Sequence, residues 1–155
     1  MFHDMRQKRK MMTIDQTIDI LEKGEYGHLA TYGENGYPYS VPLNYIYFNS
    51  MIYFHSAHKG HKIDNIIHHP AVAFTVVSCQ RLISEKFDTE YDSIVVYGKA
   101  TIIEDEQEKK DALLLLIKKY SSEFLEEGIA YIDRAAKGTT VIKMRIEQMT
   151  GKRGR

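Results

Sequence analysis

A chain of 155 residues is long enough for one domain with a real core and too short for two. Its 21 Lys and Arg against 21 Asp and Glu exclude the basic footprint of a nucleic-acid binder; the local basic runs at 6–10 and 152–155 read as solvated tails. One cysteine excludes an internal disulfide, and without a membrane-length apolar run or a signal-peptide core the chain is expected to be cytoplasmic and free of membrane contact, with Cys79 a buried structural thiol.

In chain order, Thr13-Ile14-Asp15-Gln16 reads as a capping box that opens a short helix. Ile14, Ile18 and Leu21 share one face, and Gly24 is placed to end it in a left-handed conformation. From 26 to 56 the pattern turns to strands, at 26–32, 37–48 and 51–55, with turns at Asn35-Gly36 and Asn49-Ser50, which predicts an antiparallel meander. Pro38 and Pro42 cannot donate to a ladder, so the second strand is expected at an edge or bulge, interrupted near 40–44 with its backbone and the Asn44 amide free to face a ligand.

The stretch 52–67 runs from an alternating strand through a loop of small and basic residues into a helix with Ile63, Ile66 and Ile67 on one face, stopped by Pro70. Residues 71–78 predict a strand buried on both faces, 79–92 a long polar loop, and 93–103 a strand with a bulge at Gly98. Asp105 and Glu108 make a second capping box for the longest helix, carrying Leu113, Leu116, Ile117, Tyr120 and Phe124 and broken by Gly128. A short helix over 129–136, closed by Gly138, and a final β-branched strand at 140–146 complete the chain. Hairpin-linked strands with few helices exclude a doubly wound parallel sheet and predict a mainly β fold, a six-stranded antiparallel split barrel with peripheral helices, in a single domain over 1–155.

The loop between the strand and the helix combines Ser56, Gly60 and Lys62 with the unpaired N–H groups and positive dipole end of a helix start, which suits an anion such as phosphate. The same composition also suits an ordinary solvated turn, and no Walker or dinucleotide glycine spacing accompanies it. His55, His58 and His61, followed by His68 and His69, offer metal-ligand chemistry without any Cys or carboxylate partner at a suitable spacing. Eleven Tyr without a Trp, crowded between Tyr26 and Tyr53, suit a pocket or interface as well as plain strands.

Taken together, Tyr26-Gly27-His28-Leu29-Ala30, the run from Gly36 to Tyr45, Ile52 to Ala57, Gly60-His61-Lys62 and Thr150-Gly151-Lys152 resemble the nitroimidazole-resistance proteins, within the flavin-binding split-barrel group of pyridoxamine 5'-phosphate oxidase. The resemblance implies a homodimer with FMN, or FAD, near the subunit interface, and a flavin-dependent oxidoreductase reducing small nitroaromatic or related compounds with electrons from an external donor. It places the flavin phosphate at His55, Ser56, Ala57, Gly60, His61 and Lys62, lays the ring along Val41, Pro42, Leu43 and Asn44, and adds polar contacts from Thr75 and Ser93. His55 becomes the candidate catalytic proton donor, since a histidine reaches both charge states near neutrality, against the plainer role of a strand-ending residue bonded to a carbonyl. Alternatives within the same group are a flavin-binding redox sensor or carrier without turnover, and a barrel holding haem or deazaflavin, with His55 and His61 as axial ligands for the haem.

Overall fold

The computed structural model describes residues 2–154, the side chain of Cys79 excepted. Seven strands form one antiparallel sheet: β1 (Gly27–Tyr32), β2 (Pro38–Leu43), β3 (Ile46–Phe48), β4 (Met51–Ala57), β5 (Ala71–Ile83), β6 (Asp88–Ile102) and β7 (Thr139–Gly154), in the order β2-β1-β5-β6-β7-β4-β3. The mainly β antiparallel class is as the sequence implies, with seven strands instead of six. Helices α1 (Ile14–Lys23), α2 (His61–His68), α3 (Glu106–Tyr120) and α4 (Leu125–Ala135) lie around the sheet.

Strand β2 forms one margin of the sheet and β3 the other, yet only Asn44 and Tyr45 join them. Three Cα–Cα steps reach at most about 11 Å, whereas seven flat strands would span roughly 29 Å. The sheet must therefore roll until its margins meet, which makes a barrel split between β2 and the β3–β4 hairpin. The stretch 37–48, which reads as one strand, is thus two strands on opposite margins, and the meander reading fails there. The crossover is fixed by Tyr45, whose fully buried ring donates its hydroxyl to Leu21 O at 2.6 Å.

Inside the barrel, Leu29, Ile52, Phe54, Phe74, Ile94, Val96, Ile142 and Met144 point inward from alternate positions and are fully excluded from solvent. Phe74 meets Phe54 and Tyr45 edge to face at centroid separations of 5.0 and 4.8 Å, contacts that contribute about 0.5–1.5 kcal/mol each beyond burial. Helix α1 adds Ile20 and Leu21 to this core, and α2 adds Ile63 and Ile66. A second cluster of Tyr53, Ile103, Ala112 and Val141, joined by Leu113, seats α3 on the outer face of β4 and β7.

Several local expectations hold, among them the Thr13–Gln16 box, the Asn35-Gly36 and Asn49-Ser50 turns and the Gly98 bulge, where β6 slips register against β7. Others need correction. Gly24 is extended at φ −61°; it is glycine because a Cβ would strike the Tyr45 hydroxyl and Val76. The α1 face is Thr17, Ile20 and Leu21, leaving Ile14 exposed, and Ile67 of α2 is exposed too. Over 71–78 strand β5 buries Val72, Phe74 and Val76 and leaves Val77 exposed, so it is covered on one face there. Residues 79–92 are no loop: β5 and β6 continue as a long hairpin arm whose outward side chains hide the alternation.

Asp105 caps α3 through Glu108 N, but the Glu108 carboxylate turns to Lys143 (2.7 Å) instead of closing the box. Gly128 lies within α4, where Ile117 packs against its bare Cα. The run 6–10 is mostly exposed, but 152–154 belong to β7 and are no solvated tail. Met11 bridges to Lys152, Met12 is buried, and Arg153 makes a bidentate pair with Asp92 at 2.9 Å. The thiol of Cys79 and the terminal Arg155 lie outside the described residues. Among the described residues no helix is long and apolar enough to cross a membrane.

Candidate functional site

The seam between β2 and β4 gathers most of the residues singled out in the sequence. Alternation along β4 sends Phe54 and Ser56 inward and Tyr53 and His55 outward, so His55 and Ser56, adjacent in the chain, serve opposite faces. Ser56 is 8% exposed, and its hydroxyl oxygen is buried with no hydrogen-bond partner. Across the ladder its neighbour is Thr140, whose Oγ1 lies 2.8 Å from His58 Nδ1. The other ring nitrogen of His58 donates to Lys137 O at 2.5 Å, and Nδ1 shares a hydrogen bond with the Thr140 hydroxyl.

Beyond His58 the loop reaches Gly60, at φ +148° and ψ 161°, a conformation open to glycine and costly for other residues. Its carbonyl accepts from Ile63 N (2.9 Å) and Asp64 N (3.1 Å), and no side chain caps α2. The His61 and Lys62 amides therefore head the helix without intrahelical partners, at the positive end of its dipole. Asp64 is the one acid in that first turn. Of the residues expected at the phosphate, Ser56, Ala57, Gly60, His61 and Lys62 follow one another along one strand end, one loop and one helix start, whereas His55 faces the other side of β4.

Helix α2 is held to the barrel by Asn65, which donates to Thr31 Oγ1 at 2.9 Å, and by His61, whose ring lies 4.2 Å from that of Tyr39 on β2. Sequence reasoning missed Tyr39. Strand β2 is indeed an edge, but its ladder with β1 runs unbroken from Gly27↔Leu43 to Tyr32↔Pro38. Pro38 and Pro42 share parity with Ser40 and face the free margin, so neither costs a ladder bond. Val41 and Leu43 direct their backbone at β1 and their side chains toward the interior; the margin offers the Ser40 N–H and the carbonyls of Pro38, Ser40 and Pro42. The Asn44 amide is not free either, since Nδ2 donates to Glu25 O at 2.9 Å.

His55 opens onto a cavity of roughly 290 Å³ between the outer face of β4 and β7 and helices α3 and α4. Leu113, Leu116 and Ile117 form one wall, Tyr131, Ile132 and Ala135 the other, and Asn44 and Tyr120 close one end. None of this wall was legible beforehand, because its residues carry the same helical pattern as any packed helix. Burial, and secondarily the Lys62 charge, hold the His55 imidazole below its usual pKa, so the ring is neutral at pH 7. Its nitrogens have no hydrogen-bond partner among the described residues.

Thr75 and Ser93 do not join this group within one chain. They lie on the outer faces of β5 and β6, where Thr75 pairs with His28 and Val95 and Ser93 with Val77 and Lys152. Among the described residues no three His, Cys, Asp or Glu side chains come together in a group that could hold a metal ion.

Residues 13–153 match the family model described as pyridoxamine 5'-phosphate oxidase. No curated protein matches the sequence. Among solved structures, a proposed 5-nitroimidazole antibiotic resistance protein from Bacteroides thetaiotaomicron is 27% identical, covering 92% of this chain and 85% of its own with a TM-score of 0.78. A FAD-binding protein from Mesorhizobium loti (22% identity, 94% and 97% covered, TM-score 0.67) shares the fold. So does a FAD and haem binding protein from Mycobacterium smegmatis (15% identity, 94% and 74% covered, TM-score 0.82).

Proposed function

Because the chain belongs to the pyridoxamine 5'-phosphate oxidase family, we propose that it binds a flavin, FMN in the first instance, along the seam between β2 and β4 and acts as an oxidoreductase on small nitroaromatic or related compounds. The observation that carries this reading is the buried, partnerless Ser56 hydroxyl at the barrel end next to the uncapped start of α2. A buried hydroxyl without a partner costs about 1–3 kcal/mol, and a phosphate oxygen is the acceptor it lacks. Lys62 neutralises the phosphate, and the His61 and Lys62 amides donate to it. The fold shared with FAD-binding proteins and the nitroimidazole-resistance relative support the same assignment.

A bound flavin supplies electron and hydride transfer from its ring. The chain's own residues position that ring. The free margin of β2 presents the Ser40 N–H and its carbonyls, with Asn44 at one end of the seam and the His61–Tyr39 pair at the other. His55, a neutral imidazole, would offer one ring N–H as a hydrogen-bond donor to a substrate oxygen and its other nitrogen as an acceptor, so that a proton passed on at one nitrogen is made good from solvent at the other. The exposed outer face carrying Val77, Thr75 and Ser93 is the surface for a second copy of the chain, which brings Thr75 and Ser93 to the flavin of its partner.

The test is the absorption spectrum of the purified protein, mass identification of anything acid releases, and titration of the apoprotein with FMN and FAD. A stoichiometric flavin is expected, with Lys62→Ala weakening its binding roughly tenfold to a hundredfold through loss of a charge-assisted contact. A colourless protein that binds neither flavin, or a Lys62→Ala variant of unchanged affinity, overturns the assignment.

A further inference from the structure

We propose that the cavity between α3, α4 and the outer face of β4 is the substrate site, and that it takes an uncharged compound of one or two rings whose single polar group meets His55. The proposal rests on the flavin reading only for the use made of the bound ring; the cavity's preference stands on its own walls. Leu113, Leu116, Ile117, Ile132 and Ala135 supply aliphatic surface, and Tyr131 adds an aromatic one. Among the described residues no Asp, Glu, Lys or Arg lines it. An ion placed there would lose its hydration and find no counter-charge, whereas a neutral ring replaces water with dispersion contacts.

Size narrows the class. An apolar cavity of about 150 Å³ holds benzene, and roughly 290 Å³ is near twice that, room for a substituted ring or a fused pair. Orientation comes from few polar groups. His55, with no partner of its own, lies on the cavity side of β4, while Asn44 and Tyr120 are already engaged with Glu25 and the Thr139 hydroxyl with Ala135 O, and Ser121 is solvent-exposed after the end of α3. A ring with one hydrogen-bonding substituent therefore enters with that substituent toward His55.

The experiment compares 4-nitrobenzyl alcohol with 4-nitrobenzoate, which share a ring and differ in charge, by titration into the protein as purified. The alcohol is expected to bind, and the benzoate at least about tenfold more weakly because its carboxylate must be desolvated. Ala135→Phe, which fills the cavity from a half-buried helix position, should abolish alcohol binding while FMN affinity stays as in the unmodified protein. Tyr131→Ala, which removes an exposed wall without touching the core, should weaken alcohol binding by a smaller factor. Equal binding of the two compounds, or alcohol binding unchanged in Ala135→Phe, overturns the proposal. A protein that binds the alcohol with this selectivity but no flavin overturns the oxidoreductase reading and leaves the cavity's ligand class standing.

Discussion

Tyr120 holds Tyr45 by both of its backbone groups. The Tyr120 hydroxyl oxygen accepts from Tyr45 N at 2.9 Å and lies 2.8 Å from Tyr45 O, and its one proton is shared between that carbonyl and Glu25 O at 2.7 Å. The last residue of α3 thereby fastens the link between the two margins of the barrel. Lys119 adds to the same knot, donating to Gly24 O (2.6 Å) and Tyr45 O (3.1 Å) with its ammonium 4.1 Å over the Tyr45 ring.

Tyr120→Phe keeps the ring and strands the Tyr45 N–H. The expected loss is about 1–3 kcal/mol, the cost of a buried donor without an acceptor. Urea unfolding measures it, and a midpoint equal to that of the unmodified protein would show that water replaces the hydroxyl.

Stability should pass through a maximum in mild alkali. Burial lowers the Lys119 pKa to about 8, so between that pH and its unfolded value of 10.5 the unfolded chain holds a proton the folded one has lost, and stability rises with pH. Tyr45, Tyr120 and Tyr53 have pKa values raised above 10.0, mainly by burial. They stay protonated in the folded state while the unfolded chain ionises, so stability falls above pH 10. Unfolding midpoints between pH 7 and 11 test the shape, and Lys119→Met should remove the rise and keep the fall.

Lys62→Gln should move the His55 pKa back toward 6.5 only in part, because burial is the larger cause of its depression and the Lys62 charge the smaller. An imidazole proton titration by NMR reads this directly. A His55 pKa that does not move would separate the two residues electrostatically.

His55→Asn removes the proton donor and leaves the phosphate cradle intact. Flavin affinity should hold while single-turnover reduction of 2-methyl-5-nitroimidazole slows by about a hundredfold. Equal rates would take His55 out of the reaction.

Gly98→Ala places a Cβ against the Arg145 carbonyl oxygen, a backbone atom that cannot swing aside. The bulge should reopen at a cost of about 1–3 kcal/mol, visible in thermal unfolding. An unshifted transition would mean that β7 yields at Arg145.

What the sequence reveals depends on how local the physics is. Thr13 and Gln16 satisfy each other within four residues, and Asn35-Gly36 closes a turn by itself, so both were legible. The seam was legible in parts: Ser56, Gly60 and Lys62 lie close together in the chain and announce a loop running into a helix start. The split of 37–48 was not, because what divides it is Tyr120, distant in sequence and folded against Tyr45. The arm of 79–92 was hidden for a different reason: Leu82 and Phe87 are exposed and a charged residue, Asp92, is buried, so the ribbon has no hydrophobic period to read. The cavity wall escaped because Ile117 and Ala135 become a pocket only when two helices stand apart over β4.

The two-residue link at Asn44 and Tyr45 also constrains how the molecule assembles. The β1–β2 ladder and the β3–β4 hairpin can each form in a sheet still lying open, but the link reaches its place only when the roll is complete. Cutting the chain there would leave every antiparallel ladder intact and remove the tie that sets the distance between the margins. A ligand arriving at the seam thus meets walls whose spacing folding has already decided, and little of its binding energy is diverted into closing them.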